Sequence, residues 1–439
     1  MDRERTLRPD FSAARGRRLL IALSGGADSV ALAVMLAEAR EAYDLTLFAA
    51  HVDHGIRAES AEDASFCRDL CEKLDIPFHC ARLDLAAESQ RLHVGLETLA
   101  RQRRYAYLRA TLNDLGCDFI TLAHHMDDQA ETVLMHLARG AGAEGVSGMR
   151  EMCGPLYRPL LKYRKAELAD YLRERGFGWQ EDATNRVADN PRNALRLNVI
   201  PEIERWYPQF VRAVSRFSLT SQAEGDLMAQ LTDDYLSKHS FAGPMCAWVE
   251  VEPPPHRAIM RRAIRAMCPG ALDFDQVAAV ETLCHRSKGR IDLSETTFAE
   301  RTGSRLYFVP KRPPVIQPAP LTLDGVTGFE PLGTLTASPW SGGPVRDDPM
   351  RQALNPDVLA GALLRTRRPG DRIRPLGGGD KLLSDYFIDK KVDRPLRDAT
   401  PLVAVGNRVH WVVGHGISQE AALRPGDKAV ILKYEYKSE

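Results

Sequence analysis

The stretch Ser24-Gly25-Gly26-Ala27-Asp28-Ser29 lies between two apolar runs, and it decides how the N-terminal half of the chain is built. The run before it, residues 19–23, is short, as in a buried strand. The run after it, residues 30–36, continues in Ala and Leu and has the composition of a helix. The pattern therefore predicts a strand, a glycine turn and a helix.

The glycine turn predicts a phosphate-binding loop. Gly25 and Gly26 can adopt positive φ and have no Cβ to keep a ligand away from the backbone. The N–H groups at the start of the following helix favour an anion. No Lys follows the glycines, so this is not the common G-x-x-x-x-G-K-[ST] loop. Asp28 beside a phosphate implies a bridging cation such as Mg²⁺; the alternative is a plain turn in which Asp28 and Ser29 cap the helix.

Length and composition limit the class of protein. A chain of 439 residues with 44% hydrophobic and 27% charged residues predicts about three globular domains. No apolar run approaches the roughly 20 residues of a membrane helix, and the charged start lacks a secretory signal, so we expect a cytoplasmic protein. Eight cysteines without a C-x-x-C pair predict free thiols rather than a zinc ribbon or an iron–sulfur site. Because the net charge is zero, a nucleic-acid partner would need local clusters of basic residues.

Strands and helices alternate through the first 200 residues, which predicts an α/β fold, a doubly wound parallel sheet with helices on both faces. We expect this domain to cover residues 1–205. A mainly helical domain over 206–310 and a proline-rich linker over 311–320 follow. The remainder, 321–439, predicts a small α+β domain.

Polar clusters follow three of the predicted strands: the glycine loop, residues 51–54 and residues 124–131. Ligands of such sheets bind beyond the carboxyl ends of the strands. We therefore expect the three clusters to border one crevice.

The third cluster places Asp127, Asp128 and Glu131 at the start of a helix, after His124 and His125. Asp127 and Glu131, four residues apart, are expected on one helix face, with Asp128 pointing elsewhere. Such acids repel one another unless a cation, Mg²⁺ or an ammonium, lies among them; the alternative is a solvated first turn favoured by the helix dipole. The histidines are predicted to pack under the loop, with metal ligation as the alternative.

Two groups of arginines leave alternatives open. Arg101, Arg103, Arg104 and Arg109 crowd one helix, for which a charged outer face is the default interpretation. Arg192 and Arg196 either hold a phosphate or pair with nearby acids, and Asn193 between them is a candidate helix cap.

Taken together, the motifs resemble those of the PP-loop (N-type) ATP pyrophosphatases, and among them the tRNA(Ile)-lysidine synthetases. The resemblance spans most of the chain and is thin between about 206 and 320. The motifs that carry it are S-G-G-x-D-S at 24–29, H-V-D-H-G-I-R at 51–57, A-R-x-x-R-Y at 100–105, H-H-x-D-D-Q-A-E-T at 124–132, R-P-L-L at 158–161, D-x-[ST]-N at 182–185, R-N-x-x-R at 192–196, and the C-terminal stretches 365–373 and 381–387. Asp380 and Leu383 stand where the family has lysines.

The resemblance implies a ligase. ATP would adenylate O2 of the wobble cytidine in an isoleucine tRNA with a CAU anticodon, and the ε-amine of free L-lysine would then attack C2 and expel AMP. The oligomeric state is left open, a homodimer being one alternative.

The resemblance also implies roles for individual residues. ATP would bind the loop and Mg²⁺ would bind Asp28, and the catalytic residues would be Asp28, Asp128 as base and Arg192 as balance for the phosphoryl charge. The expected ATP-binding residues are Ser24, Gly25, Gly26, Ala27, Asp28 and Ser29, and the expected lysine-binding residues are Asp127, Asp128 and Glu131. The expected tRNA-binding residues are Arg101, Arg104, Asn193, Arg196, Arg367, Arg372 and Lys381. A local excess of four positive charges between Arg365 and Asp398 is compatible with phosphate contacts and with an ordinary charged surface.

Three rival functions stay open at this level: a PP-loop tRNA thiolase, a PP-loop amide-forming synthetase, and a non-catalytic nucleotide-binding tRNA module. Paired cysteines are expected of an iron–sulfur thiolase, and the sequence has none. The intact acid cluster argues against a pure binding module, because binding needs no base.

Overall fold

The computed structural model describes residues 7, 9–53, 60–83, 88, 91, 95–180, 190–340, 348–424 and 426–437. The chain divides into two compact units, Met1–Asp226 and Leu227–Glu439. The boundary between the units falls inside one long helix, and the finer domain limits expected from the sequence stay predictions.

The first unit is built on a six-stranded sheet within the described residues. Its spatial order is β3-β2-β1-β4-β6-β5, parallel except for the edge strand β5. This confirms the predicted doubly wound sheet, with β1 between β2 and β4. The strands are β1 (Arg18–Ala22), β2 (Thr46–Asp53), β3 (Phe78–Arg82), β4 (Phe119–Thr121), β5 (Met152–Cys153) and β6 (Leu156–Tyr157).

Helices connect these strands and continue beyond them. They are α1 (Ala27–Tyr43), α2 (Ser60–Leu74), α3 (Leu96–Asp114), α4 (Met126–Ala138), α5 (Lys165–Glu174), α6 (Pro191–Ala194), α7 (Ile200–Trp206) and α8 (Phe210–His239), with 3₁₀ turns at Ser12–Ala14 and Gly145–Ser147 and a π-helical turn at Leu195–Val199. No described helix is both long and apolar enough to cross a membrane.

Strand β1 is buried on both faces because its alternate side chains enter two different cores. Leu19 and Ile21 pack with α1, α2 and α5 on one side. Leu20 packs on the other side with Leu108 of α3 and Ile120 of β4. A strand covered by helices on both faces has no polar alternation, which explains the continuous apolar run before the glycine loop.

The second unit contains helices and three antiparallel or mixed sheets among its described residues. The first sheet, β7-β8-β11-β10-β9, packs against α9 and α10. Its elements are β7 (Ser240–Ala242), β8 (Ala247–Glu250), α9 (Arg257–Met267), α10 (Phe274–Cys284), β9 (Lys288–Asp292), β10 (Thr297–Thr302) and β11 (Arg305–Pro310). The middle of the chain is thus helical with a strand layer.

The C-terminal part combines short strands with two short helices, as the expected α+β fold requires. One sheet has the order β12-β16-β19-β20-β17-β18, with β21 paired to β20, and the other has the order β13-β14-β22-β15. The elements are β12 (Ala319–Pro320), β13 (Gly325–Phe329), β14 (Gly333–Pro339), β15 (Arg351–Leu354), a 3₁₀ turn (Pro356–Leu359), β16 (Leu363–Arg365), β17 (Arg372–Ile373), β18 (Lys381–Leu382), α11 (Leu383–Asp389), α12 (Arg394–Arg397), β19 (Leu402–Val405), β20 (Arg408–Val412), β21 (Gly416–Ile417) and β22 (Val430–Tyr436).

Candidate active site

A cavity of about 480 Å³ opens beyond the carboxyl ends of β1, β2 and β4. The glycine loop after β1, the end of β2 and the residues after β4 all contribute to its wall. The polar residues that line it, together with Gly26, are Ser24, Asp28, Ser29, His51, Asp53, Asp63, Arg104 and His124. The fold thus brings the three clusters to one edge of the sheet, but of the third cluster only His124 lines the cavity, and Asp127, Asp128 and Glu131 are not in its wall.

The loop is held in shape by its own hydroxyl groups. Gly25 has φ +87°, a left-handed conformation that favours glycine. Ser29 Oγ accepts the N–H of Ser24 at 3.1 Å and donates to the carbonyl of Gly26 at 3.0 Å. Gly26 precedes α1, and no described side chain caps that helix. The capping alternative for Asp28 and Ser29 is therefore not observed, and the loop amides at this helix start suit an anion.

His125 connects the loop to the acidic helix α4. Its ring Nδ1 accepts the backbone N–H of Asp128 at 3.3 Å, and the backbone N–H of His125 donates to Asp128 Oδ2 at 3.1 Å. The neutral ring therefore carries its proton on Nε2, which lies 3.5 Å from Asp28 Oδ2 and 3.4 Å from Asp128 Oδ2. Burial lowers the pKa of His125, but the hydrogen bond to Asp28 and the nearby carboxylates outweigh it and raise the pKa above its ordinary value. One imidazole thus joins the two parts of the site.

Asp28 has one carboxylate oxygen with no protein partner. Its Oδ1 is buried and makes no hydrogen bond in the structure. Among the described residues, no group of three or more His, Cys, Asp or Glu forms a metal site. The donor set fits a cation held by one carboxylate and by oxygens of a substrate, which is how Mg²⁺ is commonly bound beside phosphates.

Asp128 and Glu131 share the same pair of arginines. Arg196 Nη2 lies 3.1 Å from Asp128 Oδ1, and Arg192 Nη2 lies 3.5 Å from it. Glu131 receives Arg196 Nε at 2.6 Å and Arg192 Nε at 2.8 Å. The expectation that Asp128 points away from Glu131 is therefore wrong, because residues three apart on a helix are also neighbours. Of the two alternatives for these arginines, the structure shows the pairing with nearby acids.

Asp127 turns instead toward the start of α5. Its Oδ1 accepts from Arg164 Nε at 3.0 Å, and its Oδ2 accepts from the backbone N–H of Lys165 at 2.8 Å. Arg164 also pairs with Glu204 at 2.9 Å. Arg164 stands in none of the motifs quoted above, so no local signal in the sequence identified it. The cations among the three acids are thus guanidinium groups of the chain, and Asp127 does not share its cation with Glu131.

The pKa values of the two histidines are shifted in opposite directions. His124 lines the cavity, and its Nδ1 is buried without a hydrogen-bond partner. Burial lowers the pKa of His124 to about 4; the Asp128 carboxylate opposes this shift, and nearby arginines reinforce it. His124 is therefore neutral near pH 7. Burial tends to raise the pKa of Asp128, but His125, His124 and Arg192 outweigh it and lower the pKa, so Asp128 is an anion.

The remaining candidate residues of the first unit have different surroundings. Arg104 lines the cavity, and burial lowers its pKa. Arg101 is exposed, and its guanidinium lies 5.3 Å from the ring centre of Tyr105. Asn193 is not the helix cap, because Asn190 precedes α6 and its side chain accepts the N–H of Asn193 at 2.9 Å. His54, the motif residues 55–57 and the segment 182–185 lie outside the described residues.

The C-terminal candidates belong to the second unit, and each is paired with an acid. Arg367 lies 2.6 Å from Asp398, and Lys381 lies 2.7 Å from Asp389. Arg372 lies 2.8 Å from Asp380, which also pairs with Arg408. Asp380 thus neutralises part of this surface.

Arg365, at the start of the same stretch, is buried, unlike the three surface residues above. It forms a bidentate pair with Asp371 at 2.8 and 2.7 Å, and both side chains are buried. Its Nη2 also donates to the carbonyl of Gly406 at 2.9 Å. This part of the motif therefore holds the C-terminal fold together.

Comparisons with known proteins agree with these features. A family model described as a PP-loop domain matches residues 2–203, and one described as a TilS substrate C-terminal domain matches residues 363–434. The tRNA(Ile)-lysidine synthase of Geobacter sulfurreducens is 33% identical over 94% of this chain and 92% of that protein. The protein of the same name from Thermus thermophilus is 35% identical over 90% of this chain and 68% of that protein. A solved TILS C-terminal domain is 26% identical over 28% of this chain and 100% of that one, with a TM-score of 0.25. Because the proteins from Geobacter sulfurreducens and Thermus thermophilus are 33% and 35% identical over at least 90% of this chain, the chain belongs to the tRNA(Ile)-lysidine synthase family.

Proposed function

We propose that this protein uses ATP to join lysine to C2 of the wobble cytidine in an isoleucine tRNA with a CAU anticodon, forming lysidine. The observation that carries the proposal is the continuous path Asp28–His125–Asp128, which links the phosphate loop to the acid and arginine cluster. The path supports the proposal, because the loop whose amides suit an anion is connected to carboxylates that would bind an ammonium.

The first step is adenylation. O2 of the cytidine attacks the α-phosphorus of ATP, and the bond to pyrophosphate breaks. The amides of the loop and the hydroxyls of Ser24 and Ser29 would hold the pyrophosphate. Mg²⁺, where bound at Asp28, would neutralise phosphate charge. Arg192 would approach the transferring phosphoryl group, since its guanidinium is one-third exposed and can leave the acids.

The second step forms the C–N bond. The ε-nitrogen of lysine attacks C2, the bond from C2 to the adenylated oxygen breaks, and AMP leaves. Asp128 and Glu131 would bind the amino group once Arg192 or Arg196 gives way, with Asp127 as a further candidate. Asp128 would take up the proton that the nitrogen loses. The low pKa of Asp128 keeps it ionised, as binding of an ammonium requires.

The tRNA would be held beyond the wobble base by the basic residues predicted above. Arg104 and Arg101 lie on one helix, Arg196 pairs with Asp128 and Glu131, and Asn193 lies on the short helix α6. Arg367, Arg372 and Lys381 are in surface pairs, which are weak enough to exchange an acid for a phosphate. A cytoplasmic location, where tRNA, ATP and free lysine meet, stays a prediction.

The test uses purified full-length protein with ATP, Mg²⁺, lysine and a transcript of the isoleucine tRNA. Mass spectrometry of the digested tRNA should show lysidine at the wobble position, and one AMP and one pyrophosphate should appear per lysidine. A methionine tRNA transcript, which shares the CAU anticodon, is the matched control and should stay unmodified. Release of ADP, or modification without nucleotide cleavage, would show that the reaction class is wrong.

A further inference from the structure

A second cavity, of about 190 Å³, lies within the second unit. It is bordered by the hairpin β7–β8, by β11 and by C-terminal segments that include the end of β22. The volume is below the roughly 300 Å³ at which sites for drug-sized ligands begin. The cavity therefore suits one small flat group rather than a large ligand.

Aromatic rings form its walls. Phe241 and Trp248 are directly opposite each other on β7 and β8, with ring centres 6.3 Å apart and planes 23° apart. Tyr436 meets Phe241 edge-on, with ring centres 6.0 Å apart. The guanidinium of Arg305 lies over Trp248, 4.0 Å from the ring centre. Flat π-surfaces and a stacked guanidinium are the surfaces on which unpaired nucleobases bind.

The charged residues that line the cavity are both basic. Arg305 and Lys437 line it, and none of the described residues that line it is Asp or Glu. Lys437 pairs with Glu330 at 2.8 Å, but both side chains are more than half exposed. Arg305 approaches Glu250 only at 3.8 Å. The exposed pair of Lys437 is weak, and the contact of Arg305 is long, so both cations remain able to meet a phosphate.

A neutral polar group completes the lining. Burial, together with Lys390, lowers the pKa of His415, so the ring is neutral near pH 7 and offers one N–H donor and one acceptor. A neutral ring with one donor and one acceptor can pair with the donor and acceptor atoms at the edge of a nucleobase. It carries no charge that would attract a charged peptide side chain.

We propose that this cavity binds one unpaired nucleobase of the tRNA, stacked against the aromatic wall, with Arg305 or Lys437 on the adjoining phosphate. The inference rests on the proposed function in that it takes tRNA as the partner. It adds a contact that is independent of the chemistry at the wobble base.

The test is equilibrium binding of the isoleucine tRNA transcript to the full chain, without ATP or lysine. Trp248→Leu and, as a second variant, Arg305→Met should each weaken binding about tenfold, since stacking of one base commonly contributes that much. Phe274→Ala is the matched control: this ring is 68% exposed on α10 and is not part of the cavity wall. It should leave affinity within about twofold.

The bound base is then identified with transcripts that each carry one abasic site at an unpaired position. One such transcript should bind the wild-type protein about tenfold more weakly than the intact transcript does. Its affinity should fall little further when the protein carries Trp248→Leu, as a double-mutant cycle requires of two groups in contact. Unchanged affinity in both cavity variants, with thermal unfolding like the wild type, would overturn the proposal. The proposal would also be overturned if, for every abasic transcript, the loss of binding free energy simply added to the loss caused by Trp248→Leu. Because the assay needs no turnover, a failure of lysidine formation with normal tRNA binding refutes only the proposed reaction, whereas a wild-type protein that does not bind the tRNA refutes both.

Discussion

Arg196 holds Glu131 through two nitrogens: Nε lies 2.6 Å from Oε1, and Nη2 lies 3.0 Å from Oε2. Glu131 is 1% exposed, so its charge is compensated almost entirely by arginines that come 61 and 65 residues later. The pairing ties α4 to the segment from α6 to the π-helical turn. It also means that a lysine ammonium can reach these carboxylates only by displacing or sharing a guanidinium.

The first prediction concerns the stability of this cluster. Glu131→Gln leaves Arg192 and Arg196 without their main partner, and breaking a buried pair is costly. Because both arginines are partly exposed, we expect the free energy of unfolding to fall by about 2 kcal/mol, measured by urea denaturation. Asp226→Asn is the control, since it removes a surface pair with Arg150 and should leave the free energy of unfolding close to that of the wild type. Equal effects of the two variants would show that the cluster is not a structural anchor.

The second prediction concerns Asp128 as the proton acceptor. Asp128→Asn keeps the shape of the side chain and removes its charge, so ATP binding should persist while lysidine formation falls by about 100-fold or more. Calorimetric titration with ATP and mass spectrometry of the digested tRNA measure the two effects. Asp127→Asn is the comparison, because Asp127 is engaged by Arg164 and by the backbone of Lys165, and its loss should affect turnover less. Normal turnover by Asp128→Asn would remove the base assignment.

The third prediction concerns the conformation of the loop. Gly25→Ala places a Cβ on a residue with φ +87°, 3.5 Å from the Sγ of Cys67, and a left-handed residue costs about 1–2 kcal/mol. We expect a higher KM for ATP, because relief of this strain moves the amides that face the phosphates. Gly116→Ala introduces a similar strain at φ +60° with no atom within 4 Å of the new Cβ. It should reduce stability to a similar degree and leave the KM for ATP unchanged.

The fourth prediction concerns pH. The pKa of His124 is about 4 in the folded protein, below the ordinary value of 6.5, chiefly because of burial. Between these pH values the unfolded chain binds the extra proton, so stability is present above pH 6.5 and is lost as the pH falls toward 4. The contribution is roughly 3 kcal/mol. His124→Gln should flatten the dependence of the unfolding free energy on pH in this window; an unchanged slope would contradict the neutral, buried state of His124.

The fifth prediction concerns the C-terminal cations. Arg372→Gln should weaken tRNA binding several-fold and reduce the slope of log K against log salt by about 0.9, as the loss of one phosphate contact does. Filter binding at several salt concentrations measures both quantities. Arg351→Gln removes the same charge from an exposed position on β15 of the same unit and should leave the slope unchanged. The same slope for both variants and the wild type would remove Arg372 from the tRNA-binding residues.

The outline of the first domain could be predicted because its signals are local. The short apolar run, the two glycines and the Ala- and Leu-rich run specify β1, the loop and α1 through periodicity and backbone freedom within about 20 residues. The grouping of three polar clusters at one edge followed from the rule for parallel sheets. The acid motif identified the start of α4 because it too is a local signal, in which a short polar segment follows a buried strand.

The amino-acid sequence by itself thus determined the order of elements, the phosphate loop and the presence of an acidic helix start, since these depend on neighbours along the chain. Only the tertiary structure decided which cation each acid meets: Arg164 for Asp127, and Arg192 and Arg196 for Asp128 and Glu131. It likewise decided that Arg365 is a buried structural residue while Arg372 is a surface one. Ion pairs depend on distances between segments far apart in the chain, and composition and periodicity contain no information about those distances.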